Sequence, residues 1–142
     1  MILACTVNGM PLVYSGQEIG LDRSLKFFDK DEIQCTNHRF TEIYTKLFLL
    51  KHQNKALWNG QHGGEMIRIF NDKPEQVISF SPEKVGQRVI PIINYSKTPA
   101  VVRLKAEMQS GTYKELFSGK EFVLNGEKEV VLAPWQYMVL VQ

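Results

Sequence analysis

The chain has 142 residues, with 17 Lys plus Arg against 15 Asp plus Glu and a formal net charge of +2. A hydrophobic fraction of 44% and a charged fraction of 23% exclude a disordered chain, and the near-balanced charge excludes a basic nucleic-acid-binding face. No run approaches the ~18–20 apolar residues of a membrane span. Cys5 and Cys35 have no Cys-x-x-Cys pair or His cluster beside them, so neither a disulfide framework nor a zinc site is predicted.

Met1 to Val7 is a short apolar stretch closed by Asn8-Gly9, the pair expected where a helix ends in a left-handed residue. Met10-Pro11-Leu12-Val13-Tyr14 reads as a strand, apolar on both faces like a parallel strand covered from both sides. Pro11 is acceptable as the first residue of such a strand. Ser15 to Glu18 opens a loop that the polar run Asp22 to Glu32 extends. Thr36 or Asn37 is the expected N-cap of a helix. Phe40, Ile43, Tyr44, Leu47, Phe48 and Leu50 recur at helical spacing along it to about Asn54. Lys46, Lys51 and Lys55 lie toward its carboxyl end, where the helix dipole favours cations. Helix end, strand, loop and helix make half of a repeating β/α pattern.

From Gly60 the periodicity changes. Strands are predicted at Glu65–Phe70, Gln76–Phe80, Arg88–Tyr95, Ala100–Lys105, Thr112–Phe117, Glu121–Leu124, Glu129–Leu132 and Gln136–Val141. Short strands every ~8–12 residues with turns between them predict an antiparallel sandwich. Asn125-Gly126 predicts a hairpin, and Asn71-Asp72-Lys73-Pro74 and Ser110-Gly111 predict further turns. The fold class is therefore mainly β, an antiparallel Greek-key β-sandwich over 59–142 preceded by a βα piece over 1–58.

Little here predicts a metal or cofactor. Asp22, Asp29, Asp31 and Glu32 do not match a calcium-loop spacing and are interleaved by Lys26 and Lys30, so they read as a solvated loop. His38, His52 and His62 show no ligand spacing. Trp58 is expected to wedge between the helix and the sandwich. Asn94-Tyr95-Ser96 fits the glycosylation spacing and reads as chance at a strand end.

Gly9-Met10-Pro11-Leu12-Val13-Tyr14-Ser15-Gly16-Gln17-Glu18 resembles the pattern Gly-x-Pro-x-x-Tyr-x-Gly-x-Glu at the last barrel strand of the alpha-amylase family of retaining alpha-glucoside hydrolases. Leu47 to Leu57 is similar to that family's last barrel helix, with Lys55 where a Pro is usual. Phe27-Phe28-Asp29-Lys30-Asp31-x-Ile33 resembles a following stretch in which an aromatic often stands at the place of Cys35. Ile92 to Ser96, Gly111 to Gly119 and Leu132 to Leu140 are similar to its C-terminal antiparallel domain.

The resemblance implies that 1–58 is the last strand and helix of a (β/α)8 barrel and that 59–142 is the sandwich behind it. In that family the catalytic carboxyl groups lie upstream of the motif, so no catalytic residue is assigned here and the chain is expected to be inactive and structural alone. Gly9, Pro11, Tyr14, Gly16 and Glu18 are expected to shape the strand and its loop. Alpha-glucan is the implied ligand, reached through the longer enzyme. The alternative is that the sandwich itself binds glucan, with Trp135, Tyr137, Tyr113 and Tyr95 as candidate stacking residues. A barrel strand without neighbours should associate with another copy, pack against a helix or give up its strand conformation.

Overall fold

The computed structural model describes residues 1–34 and 36–142, so the expectations placed on Cys35 lie outside the described residues. Helix α1 spans Ile2–Thr6 and α2 spans Arg39–Gln53. Seven strands follow: β1 Glu65–Arg68, β2 Phe70–Asn71, β3 Val77–Lys84, β4 Gln87–Asn94, β5 Ala100–Glu115, β6 Glu121–Leu132 and β7 Tyr137–Val141. Every strand pairing is antiparallel.

The strand order is β1-β3-β4-β7-β5-β2, with β6 on β5. β7 returns to lie between β4 and β5, and this non-consecutive pairing supplies the Greek-key crossing. One curled sheet therefore makes both layers of the sandwich. β1 runs along β3 as far as Arg68; Ile69 still donates to the Ser79 carbonyl at 3.2 Å, and β2 then pairs with Leu104 and Lys105 of β5. A single extended segment thus bridges the two layers.

Eight short strands become fewer, longer ones, and the reason is local. Ser110-Gly111 and Asn125-Gly126 do not reverse the chain; they lie inside β5 and β6. The two strands pair from Ala100↔Leu132 to Ala106↔Gly126, shift register, and pair again from Gly111↔Leu124 to Lys114↔Glu121. A hairpin at Asn125-Gly126 would require the two halves of β6 to pair with each other, yet both already hydrogen-bond to β5. The turn residues instead bend a two-stranded ribbon through both layers, as a bulge does. Gly126, at φ +61°, sits at the bend and donates its N–H to Ser110 Oγ at 3.0 Å. The reversal itself occurs at Leu116–Lys120, where Glu115 N–H reaches the Lys120 carbonyl at 2.8 Å.

Alternation along the strands separates two cores. Ile90, Ile92 and Leu140 face inward with Val102, Leu104, Tyr113 and Leu132 from the β5–β6 layer. Val89 and Val139, one residue out of phase, face the other way and pack with Ile2, Cys5, Leu47, Leu50 and Leu57. The helices thus form a third layer on the outer face of β4 and β7. Leu57, rather than Trp58, is the wedge between helix and sandwich: it is fully buried, whereas Trp58 is 38% exposed.

Two expectations about the first 58 residues are corrected. The α2 N-cap is His38, not Thr36 or Asn37; its Nδ1 accepts the Phe40 N–H at 3.2 Å, which neither earlier side chain does. Met10–Tyr14 is not a strand covered on both faces. It has no regular structure, and Met10, Leu12 and Tyr14 are 86%, 82% and 61% exposed. A ladder needs a partner, and among the described residues no strand lies beside this one. Apolar pattern alone does not hold five residues extended.

Candidate functional site

The family-motif residues are gathered in the segment between α1 and α2. Gly9 lies just beyond α1 at φ +122°. Pro11 borders an open hollow of about 590 Å³ together with Phe48, Lys51, His52, Trp58 and Asn59. The Tyr14 carbonyl receives the Gln17 N–H at 3.0 Å, and Tyr14 N–H returns to Gln17 Oε1 at 3.0 Å, closing a tight turn. Gly16 has φ +97°, and a β-carbon there would lie 2.7 Å from Leu21 Cδ2, so the turn admits glycine only. Glu18 Oε2 accepts the Gly16 N–H at 3.0 Å, and the Glu18 carbonyl accepts Thr41 Oγ1 of α2 at 2.9 Å. The carboxylate of Glu18 is thus engaged within its own turn.

The acidic run that follows is organised by one pair. Arg23 holds Asp31 through both guanidinium branches at 2.6 and 2.8 Å, and Lys26 N–H adds a bond at 2.9 Å. The Arg23 and Lys26 bonds hold the Asp31 carboxyl down at about 2. This clamp presents Phe27 and Phe28, 90% and 94% exposed, edge-to-face at 4.8 Å. Among the described residues no group of three or more His, Cys, Asp and Glu side chains could hold a metal ion.

The four stacking candidates separate by burial. Tyr113 is 2% exposed and belongs to the core, a correction to its place as a sugar platform. Its hydroxyl donates to the Gln109 carbonyl at 2.6 Å and accepts Arg88 Nη1 at 3.0 Å. Tyr137 is half-buried, edge-on to Phe117 at 5.3 Å, beneath the helical layer. Trp135 and Tyr95 stand out, 58% and 41% exposed.

Three charged side chains make tertiary contacts that the sequence does not announce. Lys51 is 8% exposed, and its Nζ reaches the Leu57 carbonyl at 2.7 Å and the Val7 carbonyl at 3.3 Å, tying the end of α1 and the turn after α2 to α2 itself. Burial pushes this ammonium below its ordinary value. Arg88 Nη2 donates to Glu83 Oε2 at 3.0 Å across the β3–β4 hairpin; its Nε lies 2.9 Å from Glu83 Oε1 but off the hydrogen-bond direction. Glu115, 7% exposed, turns its carboxylate onto the β5–β6 reversal. Its Oε2 accepts Phe117 N–H at 3.1 Å, Ser118 N–H at 2.7 Å and Ser118 Oγ at 2.7 Å, while Oε1 accepts Val139 N–H at 3.3 Å. Its partners come from the turn that follows it and from β7, and the β7 half carries no local pattern.

Known proteins share this arrangement. Residues 67–139 match the family described as Maltogenic Amylase, C-terminal domain. The chain is 24% identical over 131 residues to "Alpha-amylase 2" of Dictyoglomus thermophilum, an alignment covering 83% of this chain and 21% of that protein. It superposes with a TM-score of 0.81 on a noncanonic maltogenic alpha-amylase, AmyB, from Thermotoga neapolitana, at 23% identity over 99% of this chain and 34% of that one. AmyP solved in complex with maltose gives a TM-score of 0.73 at 21% identity, over 99% of this chain and 33% of that one. The chain therefore spans about a fifth to a third of the relatives it matches. With its β-domain matched over more than half of the sequence, this chain belongs to the Maltogenic Amylase C-terminal domain family, the carboxyl-terminal portion of alpha-amylase-type proteins.

Proposed function

We propose that the chain serves as the carboxyl-terminal portion of an alpha-amylase-type glycoside hydrolase acting on alpha-glucans. In this reading 1–58 is the last strand and helix of the (β/α)8 barrel, and 59–142 is the domain packed against it. The observation that carries the reading is the apolar layer between them: Leu47, Leu50 and Leu57 are buried on Val89 and Val139. A domain that shares such a layer with the barrel's last helix is a buttress, covering apolar surface that water would otherwise wet. Gly9, Pro11, Tyr14, Gly16 and Glu18 shape the strand and its turn in the longer enzyme.

The isolated chain is then structural, because its motif carboxylate, Glu18, has no partner for the two-carboxylate chemistry of a retaining glycosidase. Incubated with starch or maltoheptaose, the pure chain releases no reducing sugar. Measurable turnover by the 142-residue protein would overturn the assignment. Met10, Leu12, Tyr14, Phe27 and Phe28 leave an apolar surface on this segment, which favours self-association. Light scattering is expected to give more than one chain per particle. A monomer whose residues 1–35 resist protease would contradict that part.

A further inference from the structure

Asparagine followed by glycine occurs at Asn8-Gly9, Asn59-Gly60 and Asn125-Gly126. This dipeptide has a chemistry of its own. The glycine nitrogen, as it loses its proton, attacks the preceding side-chain amide carbon; the bond to the side-chain nitrogen breaks and ammonia leaves. Water then opens the resulting cyclic imide at either carbonyl, giving aspartate or isoaspartate. In isoaspartate the main chain runs through the side-chain carbons and is longer by a carbon. Glycine favours the attack because no Cβ shields its nitrogen. The reaction needs a glycine N–H that no acceptor holds, an amide free to swing and a backbone free to rotate. Local opening must supply these wherever the fold withholds them, so the fold decides which of the identical pairs reacts.

The three pairs differ in each respect. Gly126 N–H is held on Ser110 Oγ at 3.0 Å, and Leu124 and Gly126 on either side of Asn125 are both paired with β5. Asn8 is exposed, but its Nδ2 donates to the Gly64 carbonyl at 3.2 Å, fixing the amide that would have to swing. Asn59 and Gly60 are both exposed, and a β-carbon on Gly60 would meet no atom within 4 Å. Among the described residues neither the Gly60 N–H nor the Asn59 side chain has a hydrogen-bond partner. This pair is the open tip of the connector from α2 to β1, and the connector is closed beneath it. Gly64 N–H returns to the Ala56 carbonyl at 3.0 Å, and Lys84 Nζ of β3 holds the Gln61 carbonyl at 3.1 Å. A β-carbon at Gly63 would overlap the Trp58 carbonyl oxygen, and one at Gly64 would lie 2.6 Å from the Glu83 carbonyl oxygen. The connector has no slack to absorb a longer main chain.

We propose that Asn59-Gly60 is a site of spontaneous isoaspartate formation that loosens the connector between α2 and the β-domain, while the fold shields Asn125-Gly126 from the same reaction. Cleavage after Lys and Arg places the three pairs in separate peptides, 1–23, 56–68 and 121–128. Each site is then followed by the mass gained when its amide becomes an acid. The full chain is incubated at mildly alkaline pH and physiological temperature, folded in one arm and unfolded in guanidinium chloride in the other. In the folded arm Asn59 is expected to convert at least about tenfold faster than Asn125, with Asn8 between them, because the ladder must open first. In guanidinium the three rates should fall within about threefold of one another, since no fold ranks them there. Asn8 or Asn125 converting as fast as Asn59 in the folded chain would overturn the site. So would the folded spread persisting in guanidinium, or an unchanged Asn59 once the unfolded arm is fully converted. Asn59→Gln, whose longer side chain closes the ring far more slowly, should keep its Tm through an incubation that lowers the Tm of the wild type. Equal changes in the two proteins would overturn the loosening.

Discussion

Leu57→Ala should lower the unfolding free energy by about 2–5 kcal/mol, the range for truncating a fully buried leucine. Leu57 sits between α2 and the β-domain, wholly buried, and its carbonyl receives the Lys51 ammonium. The substitution removes apolar contact from both the helical layer and the outer face of β4 and β7. Leu49→Ala, on α2 at a residue 52% exposed, should stay within about 0.5 kcal/mol of wild type. Urea unfolding with unchanged slopes measures both. Equal midpoints for the two variants would mean that the layer contributes nothing.

Glu115 carries the second large effect. Its carboxylate serves three N–H groups and one hydroxyl, so Glu115→Ala should cost about 2–4 kcal/mol, since hydrogen bonds to a charged group contribute most when their partners are left unserved. Burial raises the pKa of this group, but the bonds from Ser118, Phe117 and Val139 outweigh burial and hold it below the ordinary glutamate value of 4.5. A carboxyl depressed in the folded state stabilises fully above its unfolded value, and that stability is lost as pH falls through the folded one. The Tm of the wild type should therefore drop on acidification below about pH 4.5, and more steeply than that of Glu115→Gln. Glu83, also held down by Arg88, Ser81 and Gln109, keeps some slope in the variant. Parallel curves for the two proteins would remove Glu115 from the account.

The parts legible in the sequence are those where local pattern and tertiary environment agree. β4 and β7 read as unbroken apolar runs, Val89 to Ile93 and Tyr137 to Val141, because each separates two cores, and α2 shows its apolar spacing because one face is buried. Legibility fails where a residue's partners are distant. Asn125-Gly126 has the composition of a hairpin, yet β5 already engages both of its flanks, so it becomes a bend. Met10 to Tyr14 has the composition of a buried strand but no neighbour to pair with. Of the aromatic candidates, Tyr113 and Trp135 look alike in sequence, and only the register of β5 against β7 and the turn at Pro134 put one inside and the other out. Lys51 and Glu115 each join a nearby group (Leu57; Phe117 and Ser118) to a distant one (Val7; Val139), and the distant half of each role has no spacing that reveals it.

The most direct test of the three-layer arrangement is amide hydrogen exchange on the full chain. Amides of α2 from Ile43 to Gln53 should be protected to nearly the degree of β4, while those of residues 8–34 exchange within seconds to minutes. If α2 exchanged as fast as residues 8–34 while β4 stayed protected, the helical layer would not be docked on the sheet, and the buttress reading would fall with it.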